Sequence, residues 1–193
     1  MRDMIAIPGR NYRMGKYEVT QAQWEAVMGT NPSRFKGANN PVECVSWDDC
    51  QAFLERLNTA SSVQKSGLTF RLPMEEEWEF ACRAGATGNY CKLANGTEIT
   101  ESTLGLVAWF GGPFLAEKTH PVGQKTPNAF GLYDMHGNVA ELTIYAVGRE
   151  CFNRGGSWFS SARFCGSSFQ DSCSLDDRHD YIGFRLCASG RAD

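Results

Sequence analysis

Apolar residues recur with helical spacing in three short segments of the chain. Residues 20–28 begin with a Thr-x-x-Gln capping pattern and stop before Gly29, which predicts a first helix. Ser46 caps a second predicted helix, whose apolar residues follow the i, i+3, i+4, i+7 pattern: Cys50, Phe53, Leu54 and Leu57. A third, shorter helix is predicted to open at Pro73. Its first turn would be a solvated acidic face (Glu75, Glu76 and Glu77), and its buried side would hold Trp78, Phe80, Ala81 and Cys82.

Strand signals are short and are separated by many turn residues. The best of them lie at residues 16–19, 69–71, 155–158 and 183–187. Residues 85–122 show little periodicity, and we expect mostly loop there. This pattern predicts one α+β domain over residues 1–193, with small sheets and much irregular loop.

Charge and composition exclude several classes of protein. The net charge is −3, and no run of Lys and Arg exceeds two residues, which argues against nucleic-acid binding. No apolar run approaches the roughly 20 residues of a membrane helix. The eight cysteines include no Cys-x-x-Cys and no zinc spacing with histidine. Their even number permits disulfides in an oxidising compartment without requiring any.

Residues 159–181 have an unusual composition. The segment lacks Lys, Glu, Met and Trp, and every residue in it except Gln170 can be encoded by a codon that ends in C. Such a set remains when the first two bases of Asn codons are randomised. The pattern indicates a surface selected for variety in what it contacts, and the alternative is an ordinary loop rich in Ser and Asp.

Several ordered motifs resemble the formylglycine-generating-enzyme family, also called the sulfatase-modifying-factor type. They are GKYEVT (15–20), NPS (31–33), NPV (40–42), VSW (45–47), RLP (71–73), EWE (77–79), HPVG (120–123), PNAFGLYDM (127–135), HGNV (136–139), RGGSW (154–158) and GFR (183–185). The match runs over nearly the whole chain. It implies a variant of the C-type-lectin fold with two main helices, small antiparallel sheets, long loops and adjacent termini.

Within this family the chain resembles variable proteins that are targets of diversity-generating retroelements, in which the stretch after RGGSW is rewritten. The resemblance implies a variable binding region at about 154–186 and a cell-surface lipoprotein, whose export segment and lipid anchor we expect to lie outside this sequence. Aromatic rings among small polar residues are typical of antibody paratopes. The predicted ligand-binding residues are Phe159, Ser160, Ser161, Arg163, Phe164, Gly166, Ser167, Phe169, Asp171, Ser172, Cys173, Ser174, Asp177, His179, Asp180 and Tyr181.

The resemblance also bears on catalysis. Enzymes of the family oxidise a substrate cysteine with a copper-binding cysteine pair, and two thiolates suit Cu(I). The matching positions here are Ser160 and Cys165. One thiol cannot make a two-sulfur site, so we expect no copper and no oxidase activity, and Cys165 is interpreted as a packing thiol.

A structural calcium site is a further implication of the resemblance. Mapped by position, Asp134 and Glu141 would supply carboxylates, and Gly137 and Val139 would supply backbone carbonyls. Calcium prefers such oxygen ligands. The two tryptophans of the family's GNVWEW motif are replaced here by Ala140 and Leu142. The alternative is a tight Gly-Asn turn whose acids bond backbone amides.

The main hypothesis is therefore a non-enzymatic binding domain, expected to be a monomer, whose variable face captures a macromolecular ligand, either protein or glycan. The oxidase is the second hypothesis, and an inert structural domain is the third. For Phe159 and Phe164, the sequence leaves open whether the rings are exposed or fill the core, whereas Phe184 and Leu186 are expected to be core residues.

Overall fold

The computed structural model describes residues 3–111 and 118–190, and within them short helices and small sheets alternate with long loops. The predicted domain of residues 1–193 and the predicted loop of residues 85–122 both extend outside this part of the chain. In the described part of the predicted loop, a 3-10 helix at Glu101–Leu106 and a two-residue strand interrupt irregular backbone. No helix among the described residues is long and apolar enough to cross a membrane.

The first two helices begin where their capping residues predict. Helix α1 spans Gln21–Met28, and Thr20 and Gln23 exchange the two hydrogen bonds of a capping box. Helix α2 spans Trp47–Thr59 and begins with a second capping box, which Ser46 forms with Asp49. The predicted apolar stripe of α2 is buried along its whole length, so the helical periodicity is confirmed: Cys50, Phe53, Leu54 and Leu57.

The third predicted helix begins two residues later than Pro73. After the single turn α3 (Ser61–Gln64), helix α4 spans Glu75–Arg83 and buries Trp78, Ala81 and Cys82. Phe80, predicted to be buried with them, is half-exposed, and the guanidinium of Arg10 lies 4.0 Å from the centre of its ring. The ring is therefore covered by a cation from the N-terminal part of the chain.

The prediction that the three glutamates in the first turn of α4 are solvated is wrong for two of them. Glu77 accepts hydrogen bonds of 2.6 and 2.7 Å from the guanidinium of Arg71. Glu75 accepts a hydrogen bond from Arg154, and only Glu76 is exposed. Arg154 contacts α4 from a strand distant in sequence, whereas Arg71 lies only six residues before Glu77.

Two four-stranded sheets and a short parallel pair make up the β structure of the described residues. The first sheet has the order β1-β2-β10-β3 and is antiparallel throughout. The second has the order β8-β7-β6-β9, with β9 parallel to β6, and β4 pairs with β5 in parallel. The strands are β1 Met4–Ala6, β2 Tyr12–Gly15, β3 Leu68–Arg71, β4 Ala108–Trp109, β5 His136–Gly137, β6 Ala140–Val147, β7 Glu150–Arg154, β8 Gln170–Ser174, β9 Ile182–Gly183 and β10 Cys187–Gly190.

The first and last strands of the described chain belong to the first sheet, with β2 between them. Strands β1 and β10 both pair with β2, and Ile5 and Cys187 lie on either side of Met14. The terminal residues themselves lie outside the described part of the chain, so the expected adjacency of the termini stays a prediction. The expected small antiparallel sheets are present, and in addition β9 and β5 each join a parallel neighbour.

The strand predictions are confirmed at residues 69–71, which lie within β3, and wrong elsewhere. Residues 16–19 follow the end of β2. Of residues 183–187, only the first belongs to β9 and only the last to β10. Residues 155–158 turn away after β7, with φ of 87° at Gly155 and 65° at Gly156. A Cβ at Gly156 would lie 2.7 Å from the Phe164 carbonyl oxygen, so glycine permits both the turn and the close approach.

The main core packs α1 and α2 against the C-terminal strands. The Trp24 and Phe53 rings stack with centroids 5.2 Å apart, and Phe184 meets Phe53 edge-on at 5.4 Å. Phe184 is fully buried and Leu186 nearly so, as predicted. The framework that brackets residues 159–181 is therefore anchored in the hydrophobic core on its C-terminal side.

Candidate binding face

Residues 159–181, here called the variable segment, begin and end close to each other on the framework. The indole N–H of Trp158, just before the segment, donates a 3.1 Å hydrogen bond to the carbonyl of Asp180 near its end. The segment forms a 3-10 helix at Ala162–Cys165 and then strand β8, which pairs with β7. Strand β9 follows directly after the segment. The segment thus begins after β7 and ends at β9, two strands that lie on either side of β6 in one sheet.

A pocket of about 410 Å³ lies between the two ends of the variable segment. Two pairs of aromatic rings line it. The Phe159 and Tyr181 rings stack with centroids 6.3 Å apart, and the Phe164 and Phe169 rings meet edge-on with centroids 4.9 Å apart. Phe159 is 55% exposed, whereas the other three rings are half-buried. Both phenylalanines left open by the sequence therefore face this pocket. The lining residues are Ala140, Asn153, Gly156, Ser157, Phe159, Ser160, Ser161, Phe164, Phe169, Asp171 and Tyr181.

One carboxylate at the rim of this aromatic pocket has no cationic partner within the described residues. Asp171 is exposed on β8, directly opposite Asn153 of β7. Its Oδ1 accepts a 2.9 Å hydrogen bond from the backbone N–H of Ser172. Near the floor of the pocket, Ser160 Oγ accepts a 3.0 Å hydrogen bond from the backbone N–H of Ser157. The pocket combines four rings, small hydroxyl groups and one negative charge.

Two predicted ligand-binding residues, Gly166 and Ser167, are buried, so the prediction that they contact a ligand is wrong. The Ser167 backbone N–H donates to the Asn89 carbonyl, and the Ser167 carbonyl accepts from Arg154. Ser167 Oγ lies 3.4 Å from Cys82 Sγ. These contacts fix the middle of the variable segment to the framework.

The last part of the variable segment is held both by contacts to the framework and by contacts within the segment. Asp180 forms a 2.5 Å ion pair with Arg34, and Asp177 accepts a 2.8 Å hydrogen bond from the backbone N–H of Ser174. The His179 ring stacks on Tyr181 at 4.8 Å. These acids therefore stabilise the return of the chain more than they extend the pocket.

The remaining predicted residues lie beside the pocket. The Arg163 guanidinium covers the Phe164 ring at 4.3 Å, and Ser172 is exposed on β8. Cys173 is half-buried and faces Cys151 of β7. The structure thus brings together, from the predicted set, Phe159, Ser160, Ser161, Phe164, Phe169, Asp171 and Tyr181.

Framework residues that the sequence analysis did not single out complete the pocket. Ala140, Asn153, Gly156 and Ser157 supply its walls, and Asn153 faces Asp171 across two paired strands. The position of RGGSW immediately before the variable segment is the one signal that could have indicated Gly156 and Ser157. Asn153 and Ala140 reach the pocket through sheet pairing, which their local sequence does not reveal.

A buried histidine supports the variable segment from inside the framework. Burial lowers the pKa of His136 to about 4, so the ring is neutral at pH 7. Its Nδ1–H donates a 2.7 Å hydrogen bond to the Cys165 carbonyl, and Nε2 accepts one of 3.1 Å from the Cys91 backbone N–H. The ring therefore holds the end of the 3-10 helix by a fixed tautomer.

A fully buried ion pair lies at the predicted calcium segment. Arg185 Nε and Nη2 each donate a 2.6 Å hydrogen bond to Glu141, and the Trp78 indole adds a third at 2.6 Å. The guanidinium also donates to the carbonyl oxygens of Gly15 and Tyr133. All these partners satisfy a charge pair that would be costly to bury without them.

Glu141, one of the four predicted calcium ligands, is not free to bind a calcium ion in this arrangement. Calcium takes six to eight oxygen ligands, but both Glu141 oxygens already accept from Arg185. Asp134 Oδ2 accepts a 2.7 Å hydrogen bond from the Gly123 backbone N–H, which is the alternative that the sequence left open. The other oxygen of Asp134, Oδ1, is buried and has no hydrogen-bond partner among the described residues. Within the described residues, no group of three or more His, Cys, Asp or Glu is placed to hold a metal ion.

Glu18 is a buried acid that the sequence analysis missed. Its Oε1 and Oε2 accept hydrogen bonds from the Val139 backbone N–H and the Asn138 side chain, at 3.1 and 2.7 Å. Burial, together with the nearby Asp134 and Glu141 carboxylates, raises its pKa well above the usual range, while Arg185 acts in the opposite direction. The position of Glu18 within the family motif GKYEVT could have indicated a buried role, but the sequence analysis predicted only a strand there.

The positions that match the family's copper pair do not form a two-sulfur site. Cys165 is fully buried, and burial raises the pKa of its thiol to about 12. Ser160 stands at the other position, with a hydroxyl engaged by Ser157. In the part of the chain that the structure describes, no cysteine sulfur lies in hydrogen-bond contact with Cys165. These residues do not fit Cu(I), which prefers soft thiolate ligands.

Residues 4–189 match the family model described as the sulfatase-modifying factor enzyme 1-like domain. The chain belongs to this family. The assignment confirms the resemblance found in the motifs and covers the whole of the described fold. The framework of the chain is therefore that of the family. At Ser160 the chain differs from a family member that has a two-thiol site.

Solved and curated relatives place the chain on the C-type-lectin fold of this family. It is similar to Treponema denticola variable protein 1, with 28% identity and a TM-score of 0.79 over 96% of this chain and 91% of that one. It is 33% identical to the chaperone protein LppX of Paenibacillus barcinonensis, over 68% of this chain and 61% of the relative. It is 30% identical to the inactive C-alpha-formylglycine-generating enzyme 2 of Bos taurus, over 89% of this chain and 58% of the relative.

The similarity to these two curated relatives covers only part of their length. The chain spans about three-fifths of the length of each of the two relatives described above. The similarity to the variable protein, in contrast, covers nearly the whole length of both chains. The fold predicted from the sequence is therefore confirmed.

Proposed function

We propose that the protein is a non-enzymatic binding protein of the cell surface, in which the variable segment forms the recognition face. The observation that carries this proposal is the aromatic pocket, where four rings of the variable segment meet over framework residues. The similarity to the Treponema variable protein supports it. The proposed ligand is a macromolecule, and residues of this one chain line the pocket.

The ligand would place a cationic side chain, Lys or Arg, in the aromatic pocket. Rings attract cations through their negative faces, and the effect is strongest where water is partly excluded. Asp171 adds a carboxylate at the rim with no ion pair among the described residues. The rings lose little conformational entropy on binding, and the surrounding serines supply adaptable hydrogen bonds. These features favour a protein ligand over a glycan.

A peptide-display selection tests the proposal directly. The purified protein would be immobilised and used to select from a random peptide library, and the affinity of enriched peptides would then be measured. We expect enriched peptides to carry Lys or Arg beside apolar residues. Phe159→Ser and Asp171→Asn should each weaken binding about tenfold or more, in the range of contact residues at protein interfaces.

A matched control is available at Leu106, which is as exposed as Phe159 but lies outside the variable segment. Leu106→Ser should leave peptide affinity unchanged. If Leu106→Ser weakened binding as much as Phe159→Ser, the variable segment would not be the recognition face. A selection that yielded no enriched peptide and no glycan binding would favour the inert structural domain.

Family membership favours one other function, a formylglycine-generating-type copper oxidase that acts on protein cysteines. Such an enzyme requires two apposed thiols, and Ser160 replaces one of them. Titration with Cu(I) and counting of alkylatable thiols distinguishes the two functions. We expect that Cys165→Ser will not abolish any stoichiometric binding of Cu(I), because Cys165 is not part of a two-thiol site. Binding that depends on Cys165 and a second cysteine would instead support the oxidase.

A further inference from the structure

Cys151 and Cys173 lie directly opposite each other on adjacent strands. Cys151 belongs to β7 and Cys173 to β8, and they are register partners in an antiparallel pair. Their sulfur atoms are 3.0 Å apart. Among the described residues, this is the one pair of cysteine sulfurs in hydrogen-bond contact. The pair therefore differs from the other six thiols, which the sequence alone could not separate.

The backbone geometry permits a covalent bond between the two sulfurs. Opposed residues in antiparallel strands have Cα atoms roughly 4.5–5.5 Å apart. Disulfides span Cα separations of roughly 4.4–6.8 Å and have a bond length of about 2.05 Å. Closing the bond requires about 1 Å of sulfur movement and no change of strand register. The two side chains therefore already meet the condition that most cysteine pairs fail.

The two thiols differ in exposure and in acidity. Cys151 is fully buried, whereas Cys173 is half-buried on β8, the edge strand of its sheet. The hydrogen bond between the two thiols lowers the pKa of Cys173 and raises that of Cys151. Cys173 is therefore the thiol that reacts first with a solute, and Cys151 is placed to resolve the product.

We propose that Cys151 and Cys173 are a redox modification site, at which a disulfide fastens the edge strand of the variable segment to the framework. The oxidant is an external disulfide, such as a low-molecular-weight disulfide or a disulfide-donating protein. The Cys173 thiolate attacks one sulfur of that disulfide, forms a mixed disulfide and releases the other sulfur as a thiolate.

The second step completes the exchange. Cys151 gives its proton to solvent, and its thiolate attacks the Cys173 sulfur and displaces the second half of the oxidant as a thiolate. The two protein thiols lose two electrons, and the external disulfide gains them as two thiols. The bond fixes strand β8, which carries Asp171 at the rim of the aromatic pocket. The inference does not depend on the identity of any ligand.

Oxidation of the purified full chain by oxidised glutathione tests this site. Free thiols would then be alkylated, and peptides would be identified by mass spectrometry without reduction. We expect one cross-linked peptide that joins Cys151 to Cys173 and alkylation of the remaining cysteines. The cross-link closes a loop between positions 22 apart, so the melting temperature should rise by roughly 5–10 °C over the reduced protein.

Two variants make the test specific. Cys173→Ser should remove both the cross-link and the rise in melting temperature. Cys44→Ser, at another half-buried thiol, should leave both unchanged. The inference is overturned if the cross-link joins other cysteines. It is also overturned if Cys173 stops at a glutathione adduct, or if the rise persists in Cys173→Ser.

Discussion

The Phe159 and Tyr181 rings stack 6.3 Å apart although they occupy opposite ends of the variable segment. Next to them, the Trp158 indole is hydrogen-bonded to the Asp180 carbonyl, so framework and segment are joined at the same place. The rings between these ends turn toward one pocket. The segment can therefore change its side chains at the pocket while its two attachment points remain fixed.

Replacement of an exposed ring of the pocket should have little effect on stability. Phe159 is 55% exposed, so Phe159→Ser should change the free energy of unfolding by less than about 1 kcal/mol. Phe184→Ala, at a fully buried ring of the main core, should cost about 3–5 kcal/mol. Urea titration of both variants measures the difference. Equal losses would show that Phe159 belongs to the core.

Removal of one partner of the buried ion pair should be strongly destabilising. Glu141→Gln leaves the Arg185 guanidinium buried without its counter-charge, and the expected cost is about 3–5 kcal/mol. The exposed pair of Arg149 and Asp176 is the control, and Asp176→Asn should cost less than about 1 kcal/mol. Both are read from urea denaturation. A Glu141→Gln loss as small as that of the control would contradict the role assigned to the pair.

Calcium should have no effect on stability, because Arg185 already supplies the positive charge at Glu141. We expect the melting temperature in about 10 mM calcium to agree with that in excess EDTA within about 1 °C, since even weak extracellular calcium sites bind at this concentration. Differential scanning calorimetry provides the comparison. A rise of several degrees in calcium would restore the calcium site predicted from the sequence.

The Arg71–Glu77 pair should make stability fall in acid. Burial acts to raise the pKa of Glu77, but hydrogen bonds and charge from Arg71 outweigh it and leave the pKa below its ordinary value. The stabilisation is therefore complete above the unfolded-state pKa of about 4.3 and is lost as the pH falls through the lower folded-state value. Glu77→Gln should cost about 1–2 kcal/mol at pH 7 and progressively less in acid. A pH-independent difference in urea titrations would refute this assignment.

Local patterns predicted the helices well because their signals lie within a few residues. The capping residues Thr20 and Ser46 begin helices in the structure, and the apolar stripe of α2 is buried as its spacing predicts. The motifs also identified the family and its fold, which residues 4–189 confirm. The segment of unusual composition between RGGSW and β9 correctly indicated the chain that forms the aromatic pocket.

Long-range pairing accounts for most of the errors. Arg185 hydrogen-bonds to Glu141, a predicted calcium ligand, from a position 44 residues further along the chain. Gly166 and Ser167 share the composition of the variable segment, yet backbone contacts to Asn89 and Arg154 bury them. No local signal distinguishes such residues from exposed neighbours, because burial depends on which distant element packs against them.

The most direct measurement compares two libraries on the surface of yeast. One randomises exposed positions of the variable segment with codons that end in C, at Phe159, Ser161, Arg163, Asp171 and Ser172. The other randomises an equal number of buried framework positions, at Trp24, Phe53, Trp78, Leu142 and Phe184. If the framework alone determines the fold, most clones of the first library will resist protease as the parent does, and few of the second will. Equal loss of folded clones in both libraries would contradict the account.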